Sequence, residues 1–182
     1  SSPYGVSKAA FDQHLEIMHR VHGFPMNLIR PSNAYCPGQQ LHRIIPKTIL
    51  SALGGTKLKL QGGGRAEKSY IHGDDLSRAI VAVAERTAAG GVYNCGPEQP
   101  TSIKELAEKC VRACGADPVE ASEIAPDRVG QDGRYWLDSS ALRRDTGWAP
   151  LVDLDRGIED MVRWVRAYPE LVQVDTTFRM RA

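Results

Sequence analysis

Apolar residues recur along this chain at two distinct spacings. From Tyr4, the positions Val6, Ala9, Ala10, Leu15, Ile17 and Met18 return every three or four residues, which predicts a helix. Pro3 suits its start, having a fixed φ and no N–H, while Gly23 and then Pro25 end it. Met26–Arg30 is a short apolar run between prolines and predicts a buried strand. Pro31–Gln40 carries two prolines and a glycine and predicts a loop. Ile44–Leu53 predicts a helix stopped by Gly54–Gly55, and Lys57–Leu60 alternates as a half-exposed strand does. After the turn at Gly62–Gly64, Lys68–Ile71 predicts a strand. Asp74 or Asp75 is the expected cap of a helix bearing Leu76, Ile80, Val81 and Val83.

Val92–Cys95 predicts a further strand, and Ser102 with Glu105 forms a capping-box pattern before a helix through Val111. Arg134–Leu137 predicts a strand. Asp138 is placed as the cap of a helix over Ser139–Asp145, and Asp153 as the cap of a last helix with Ile158, Met161, Val162 and Val165 on its buried stripe. Helices and strands alternate, which is the pattern of the α/β class.

Composition adds exclusions. At 182 residues, 42% hydrophobic and 25% charged, the chain is an ordinary globular one, not a disordered one. Its longest apolar run, Ala79–Ala84, is too short to cross a bilayer, and Ser1–Lys8 lacks the apolar stretch of a signal peptide. A net charge of +1 without a basic block argues against nucleic acid as a partner. Cys36, Cys95, Cys110 and Cys114 match no zinc spacing and read as reduced thiols of a cytoplasmic protein. His14, His19 and His22 read as a solvated helix face rather than a metal site.

One constellation carries chemistry. Tyr4 and Lys8 stand four apart on the first helix, so phenol and ammonium share a face about one turn apart. A free phenol, with a pKa near ~10, is a poor base at neutral pH, and a neighbouring cation favours the phenolate. Tyr4 could then exchange a proton with a substrate hydroxyl while a cofactor takes the hydride. The spacing alone is a weak signal, because many unrelated helices contain it.

The surrounding residues sharpen it. Ser1-Ser2-Pro3-Tyr4-Gly5-Val6-Ser7-Lys8-Ala9-Ala10 resembles the active-site helix of extended short-chain dehydrogenases/reductases, in the nucleotide-sugar epimerase/dehydratase branch. Further segments agree in order: Arg30–Tyr35, Ile44-Ile45-Pro46 with its helix, Gly62–Asp75, Val92–Gly96, Asp127–Tyr135, and Leu142–Trp148. The resemblance spans roughly residues 1–168. It implies the carboxy-terminal part of a Rossmann-type NAD(P)-binding domain (residues 1–31 and 69–90), a small α/β nucleotide-sugar-binding domain (32–68 and 91–170) and a tail (171–182).

The resemblance also implies roles. Tyr4 is the base that takes the C4 hydroxyl proton of the sugar as hydride passes to NAD, before water is lost across C5–C6. Lys8 holds the nicotinamide ribose and tunes Tyr4. Pro31 and Asn33 join them at a cofactor taken to be NAD rather than NADP. Asn33, Arg43, Ile44, Gln61, Lys68, Asn94, Arg128 and Gln131 contact a nucleotide-diphosphate sugar, and the cationic members suit its diphosphate. Family enzymes pair as homodimers through helices including this first one, whose Phe11, Leu15 and Met18 form an apolar face.

Three departures point to a different nucleotide sugar or reaction within the family. Lys68 replaces a forked Arg, Gln131 stands where dehydratases often carry His, and Cys36 replaces a Gly whose positive φ would strain it. The family's glycine-rich dinucleotide turn is absent. Gly62–Gly64 precedes a strand and offers no helix N-terminus to a pyrophosphate. The expectation is therefore the carboxy-terminal half of an enzyme whose partner half completes it. A 4,6-dehydratase is the leading reading. An epimerase or reductase of the same family, or a non-catalytic nucleotide-sugar-binding remnant, stands as the alternative.

Overall fold

Residues 3–126 and 133–176 are described by a computed structural model. Helix α1 runs over Pro3–His22. Gly23 stops it at φ 65°, with its amide on the His19 carbonyl and the Phe24 amide on that of Met18, the double closure a left-handed glycine permits. Strands β1 (Leu28–Pro31) and β2 (Asn33–Tyr35) follow, then α2 (Ile44–Leu53) and β3 (Leu58–Gln61). A 3₁₀ turn at Gly62–Gly64 leads to β4 (Glu67–Lys68), β5 (Tyr70–His72) and α3 (Gly73–Arg86). The remainder is β6 (Val92–Cys95), β7 (Thr101–Ser102), α4 (Ile103–Ala113), β8 (Ser122–Ala125), β9 (Arg134–Tyr135), α5 (Ser140–Thr146) and α6 (Leu154–Ala167), closed by a 3₁₀ turn at Pro169–Gln173.

The pairings are mostly parallel, as the α/β class requires. β1 lies beside β6, with Arg30 opposite Asn94 and Pro31 opposite Cys95. β2 lies beside β5, and β3 beside β8. β4 is flanked by antiparallel β7 and parallel β9. One apolar cluster joins α2, α4 and α6 around Ile49, Leu106, Met161 and Val165, and takes in Tyr35 and Tyr70. A second packs Ile71, Ala79, Val83, Tyr93, Cys95, Leu142 and Trp148. A small third places Leu58 and Leu60 on Ala107. No described helix is long and apolar enough to cross a membrane.

Several local expectations are corrected. The segment expected as a loop over 31–40 contains β2, because pairing with β5 overrides its turn-forming composition. The single strand expected at Lys68–Ile71 divides at Ser69, since β4 and β5 pair with different neighbours. The cap of α3 is His72, whose Nδ1 accepts from the Asp74 amide at 3.3 Å. Asp75 is instead buried, while Ile80 and Val81 of the expected stripe face outward. Ser139 takes the cap position of α5, with Asp138 accepting from the Ser140 amide at 2.8 Å. Ser102 and Asp153 cap α4 and α6 as expected.

Candidate functional site

Tyr4 lies in the first turn of α1 with 73% of its surface exposed. Lys8 follows one turn later, exposed, its ammonium 5.8 Å from the centroid of the Phe11 ring. Burial pushes the phenols of Tyr35 and Tyr70 far above the ordinary range, so neither takes a proton at neutral pH.

A second group gathers where β1 and β6 end. Pro31 closes β1, and the buried Ser32 donates its amide to the Cys95 carbonyl at 2.8 Å. Asn33 opens β2. Its backbone amide and its side-chain Nδ2 both donate to the Ser69 carbonyl at 3.1 Å, which fixes the carboxamide beside the residue that follows Lys68. Asn94 lies half-buried in β6 across from Arg30. Lys68 ends β4 between Thr101 and Tyr135. Pro31, Asn33, Lys68 and Asn94 thus come from sequence-distant strands that meet through β1–β6 and the Asn33–Ser69 bonds.

The remaining predicted positions lie outside this group. Arg43 is exposed at the cap position of α2 without a side-chain capping bond, and Ile44 packs half-buried against two apolar clusters. Gln61 is exposed at the end of β3. Arg128 and Gln131 lie outside the described residues. α1 contributes no residue to any of the apolar clusters. It joins the strand group through the Asp12–Arg30 ion pair at 2.7 Å.

The strain expected at Cys36 is absent, because no described residue other than glycine has a positive φ. A Cβ on Gly73 would come within 2.9 Å of the Cys36 Cβ, so glycine at 73 makes room for the thiol. Cys36 borders a hollow of about 550 Å³ with Pro37, His72, Asp74, Asp160, Arg163 and Trp164, which includes none of the predicted site residues. Among the described residues no cluster of His, Cys, Asp or Glu could hold a metal ion. Sequence reasoning missed Asp12, whose partner Arg30 is distant in sequence. It also missed Ser32 and Ser139, whose importance comes only from burial.

The chain is similar to known proteins in sequence and in fold. The NAD dependent epimerase/dehydratase family matches residues 1–96, more than half of the chain. This chain belongs to that family. A dTDP-glucose 4,6-dehydratase of Streptomyces griseus is 39% identical over 164 residues, covering 90% of this chain and 50% of the relative. The crystal structure of a dTDP-glucose 4,6-dehydratase of Bacillus anthracis in complex with NAD aligns with a TM-score of 0.88 at 29% identity, over 93% of this chain and 54% of that one. A UDP-glucose 4-epimerase of Thermotoga maritima, solved with UDP-glucose, aligns with a TM-score of 0.87 at 26% identity, over 92% and 54%. The chain spans about half the length of the curated relatives it matches. Its α/β architecture is that of these Rossmann-type enzymes.

Proposed function

We propose that this chain supplies the substrate-facing half of an NAD-dependent nucleotide-sugar 4,6-dehydratase. The observation that carries the proposal is the 39% identity to a dTDP-glucose 4,6-dehydratase across 90% of the chain, taken with an exposed Tyr4 one turn from Lys8.

The residues fit one end of the dinucleotide and not the other. Exposed Tyr4 and Lys8, with Pro31 at a strand end and Asn33 beside it, suit a nicotinamide ribose. The glycine turn at Gly62–Gly64 runs into β4, so it presents no helix N-terminus to a pyrophosphate. A glycine-rich segment joined to this chain would hold that end. When bound, NAD accepts hydride from the sugar and later returns it.

Tyr4 accepts the proton of the C4 hydroxyl, and Lys8, one turn away, holds the nicotinamide ribose. Asn33, whose Nδ2 is held by Ser69, keeps Oδ1 as an acceptor for a sugar hydroxyl. Lys68 supplies positive charge to the diphosphate, and Asn94 and Arg128 lie at the nucleotide end. Arg43, Ile44, Gln61 and Gln131 are further contacts to the substrate. Lys68 offers the diphosphate a point charge in place of a bidentate fork. The half-exposed Phe11, Leu15 and Met18 form the seam of a homodimer in a reducing, cytoplasmic setting.

The test is turnover by the polypeptide that joins this chain to a dinucleotide-binding segment. It should convert a nucleotide-diphosphate hexose to a product lighter by one water, read by mass spectrometry, and Tyr4→Phe should abolish conversion. Micromolar NAD affinity of the 182-residue chain alone, measured by calorimetry, would contradict the division of labour. A Phe11→Glu variant that remains dimeric by size would remove the seam.

A further inference from the structure

Helix α1 carries Tyr4 and Lys8, yet none of its 20 residues is buried. Such a helix is not directed by core packing, which fixes most helices in globular proteins. Among the described residues, two side-chain hydrogen bonds tie it to segments beyond its own turns. His19 Nδ1 donates to the Phe24 carbonyl at 2.9 Å, and the same ring fills the space beside Gly90. Both lie at the carboxy-terminal end. Along the rest of the helix, the bond from Arg30 Nε to Asp12 Oδ2, at 2.7 Å, ties it to a strand.

The position of that pair is informative. Asp12 continues the stripe of Tyr4 and Lys8, about one turn beyond Lys8 and two beyond Tyr4. Arg30 immediately precedes Pro31 and lies opposite Asn94 in the β1–β6 register. The pair therefore joins the Tyr4–Lys8 stripe to the strand end where Pro31, Asn33 and Asn94 gather. With the far end of the helix held at His19, a second tie on the stripe fixes rotation about the helix axis as well as its tilt.

We infer that Asp12 and Arg30 are positioning residues. Their ion pair sets the roll of α1, and so directs the phenol of Tyr4 and the ammonium of Lys8 toward the ends of β1 and β6. The functional half of this inference rests on the reading of Tyr4 and Lys8 given above, whereas the orientational half does not. The Arg30 side chain is 44% exposed and that of Asp12 24%, so the pair contributes little to global stability, and its signature is direction rather than melting.

The experiment measures residual dipolar couplings of backbone amides in the 182-residue chain. In the wild type, amides 6–20 should share one alignment with those of β1 and β6. Asp12→Asn should lower the α1 couplings below their wild-type values, by an amount set by the few-fold shift in equilibrium expected for an exposed pair, while β1 and β6 keep theirs. Asp12→Glu, which retains the carboxylate, should restore them. Unchanged α1 couplings in D12N, or no recovery in D12E, would overturn the inference. So would loss of the β1 and β6 couplings in D12N, since the pair would then hold the fold rather than the helix direction. In the active polypeptide, D12N should lower kcat several-fold with KM retained and D12E should recover it, and a rise in KM alone would overturn the positioning role. Absence of turnover in the wild type would remove the enzymatic reading and leave the coupling result standing.

Discussion

The hydroxyl of Ser139 donates to the carbonyl of Gly96 and accepts from its amide, both at 2.9 Å. One buried side chain thereby satisfies both backbone groups of the residue that follows β6. The same turn is crowded from the other side, because a Cβ at position 96 would lie 2.8 Å from the Ser32 Oγ. The ends of β1 and β6, and with them Pro31, Asn33 and Asn94, are thus set by a serine from the linker before α5.

Ser139→Ala should destabilise the chain by about 1–3 kcal/mol, because it leaves a buried amide and carbonyl without partners. Gly96→Ala should cost about as much, ~1–3 kcal/mol, by overpacking against Ser32. Urea unfolding measures both. A Ser139→Ala midpoint equal to that of the wild type would show that solvent replaces the hydroxyl.

Asp75 performs a larger version of the same task. Only 1% exposed, its carboxylate accepts the amides of Leu151 and Val152 at 3.0 Å and pairs with Arg78. Asp75→Ala should cost about 2–4 kcal/mol, since two amides lose their acceptor. Arg78→Ala should cost less than about 1 kcal/mol, because that side chain is 41% exposed and both amide bonds survive. The Trp148 indole donates to the Asp75 carbonyl at 3.0 Å and offers a fluorescence probe of the same joint. Equal losses in the two variants would assign the effect to the ion pair.

These joints explain which features were legible in the sequence. The boundaries of α2 and β6 were readable because periodicity and glycine punctuation are local signals. β2 was not, since Asn33–Tyr35 is extended only by virtue of its partner Tyr70–His72. β8 was hidden because Glu123 and Ile124 are both exposed, which erases alternation. In the candidate site, Tyr4, Lys8 and Asn33 were chosen through family-like spacing. Asp12 was not, because its partner Arg30 is distant in sequence, and an ion pair has no periodicity. His72 displaced the expected aspartate cap because a ring nitrogen accepts an amide as a carboxylate does, a rarer choice that pattern reading ranks low.

The contact of α6 with Tyr35 is similarly concealed. Gly157 is buried in the helix, and a Cβ there would collide with the Tyr35 hydroxyl. Alanine has the higher helix propensity by about 1 kcal/mol, so Gly157→Ala should stabilise an isolated helix. In this chain it should destabilise by about 1–3 kcal/mol through overpacking. Tyr35→Phe removes the colliding oxygen, and the double variant should recover part of the loss. Additive losses in the double variant would show that the collision lies elsewhere.

The buried thiols set an alkaline limit. Burial pushes the Cys95 thiol up to about 12, with Asp75 adding to the rise, and raises that of Cys110 further. In the unfolded chain both would ionise near ~8.5. The folded form therefore holds these protons to higher pH than the unfolded form does. Stability from the neutral thiols is complete below about 8.5 and is lost as pH rises toward the folded values. The urea midpoint should fall progressively above about pH 9. Cys95→Ala should lower the midpoint at neutral pH by opening a cavity, yet flatten its alkaline decline. Lysines and tyrosines also titrate in this range, so the comparison of slopes isolates the thiol. A decline as steep in Cys95→Ala as in the wild type would assign the alkaline limit to those other groups.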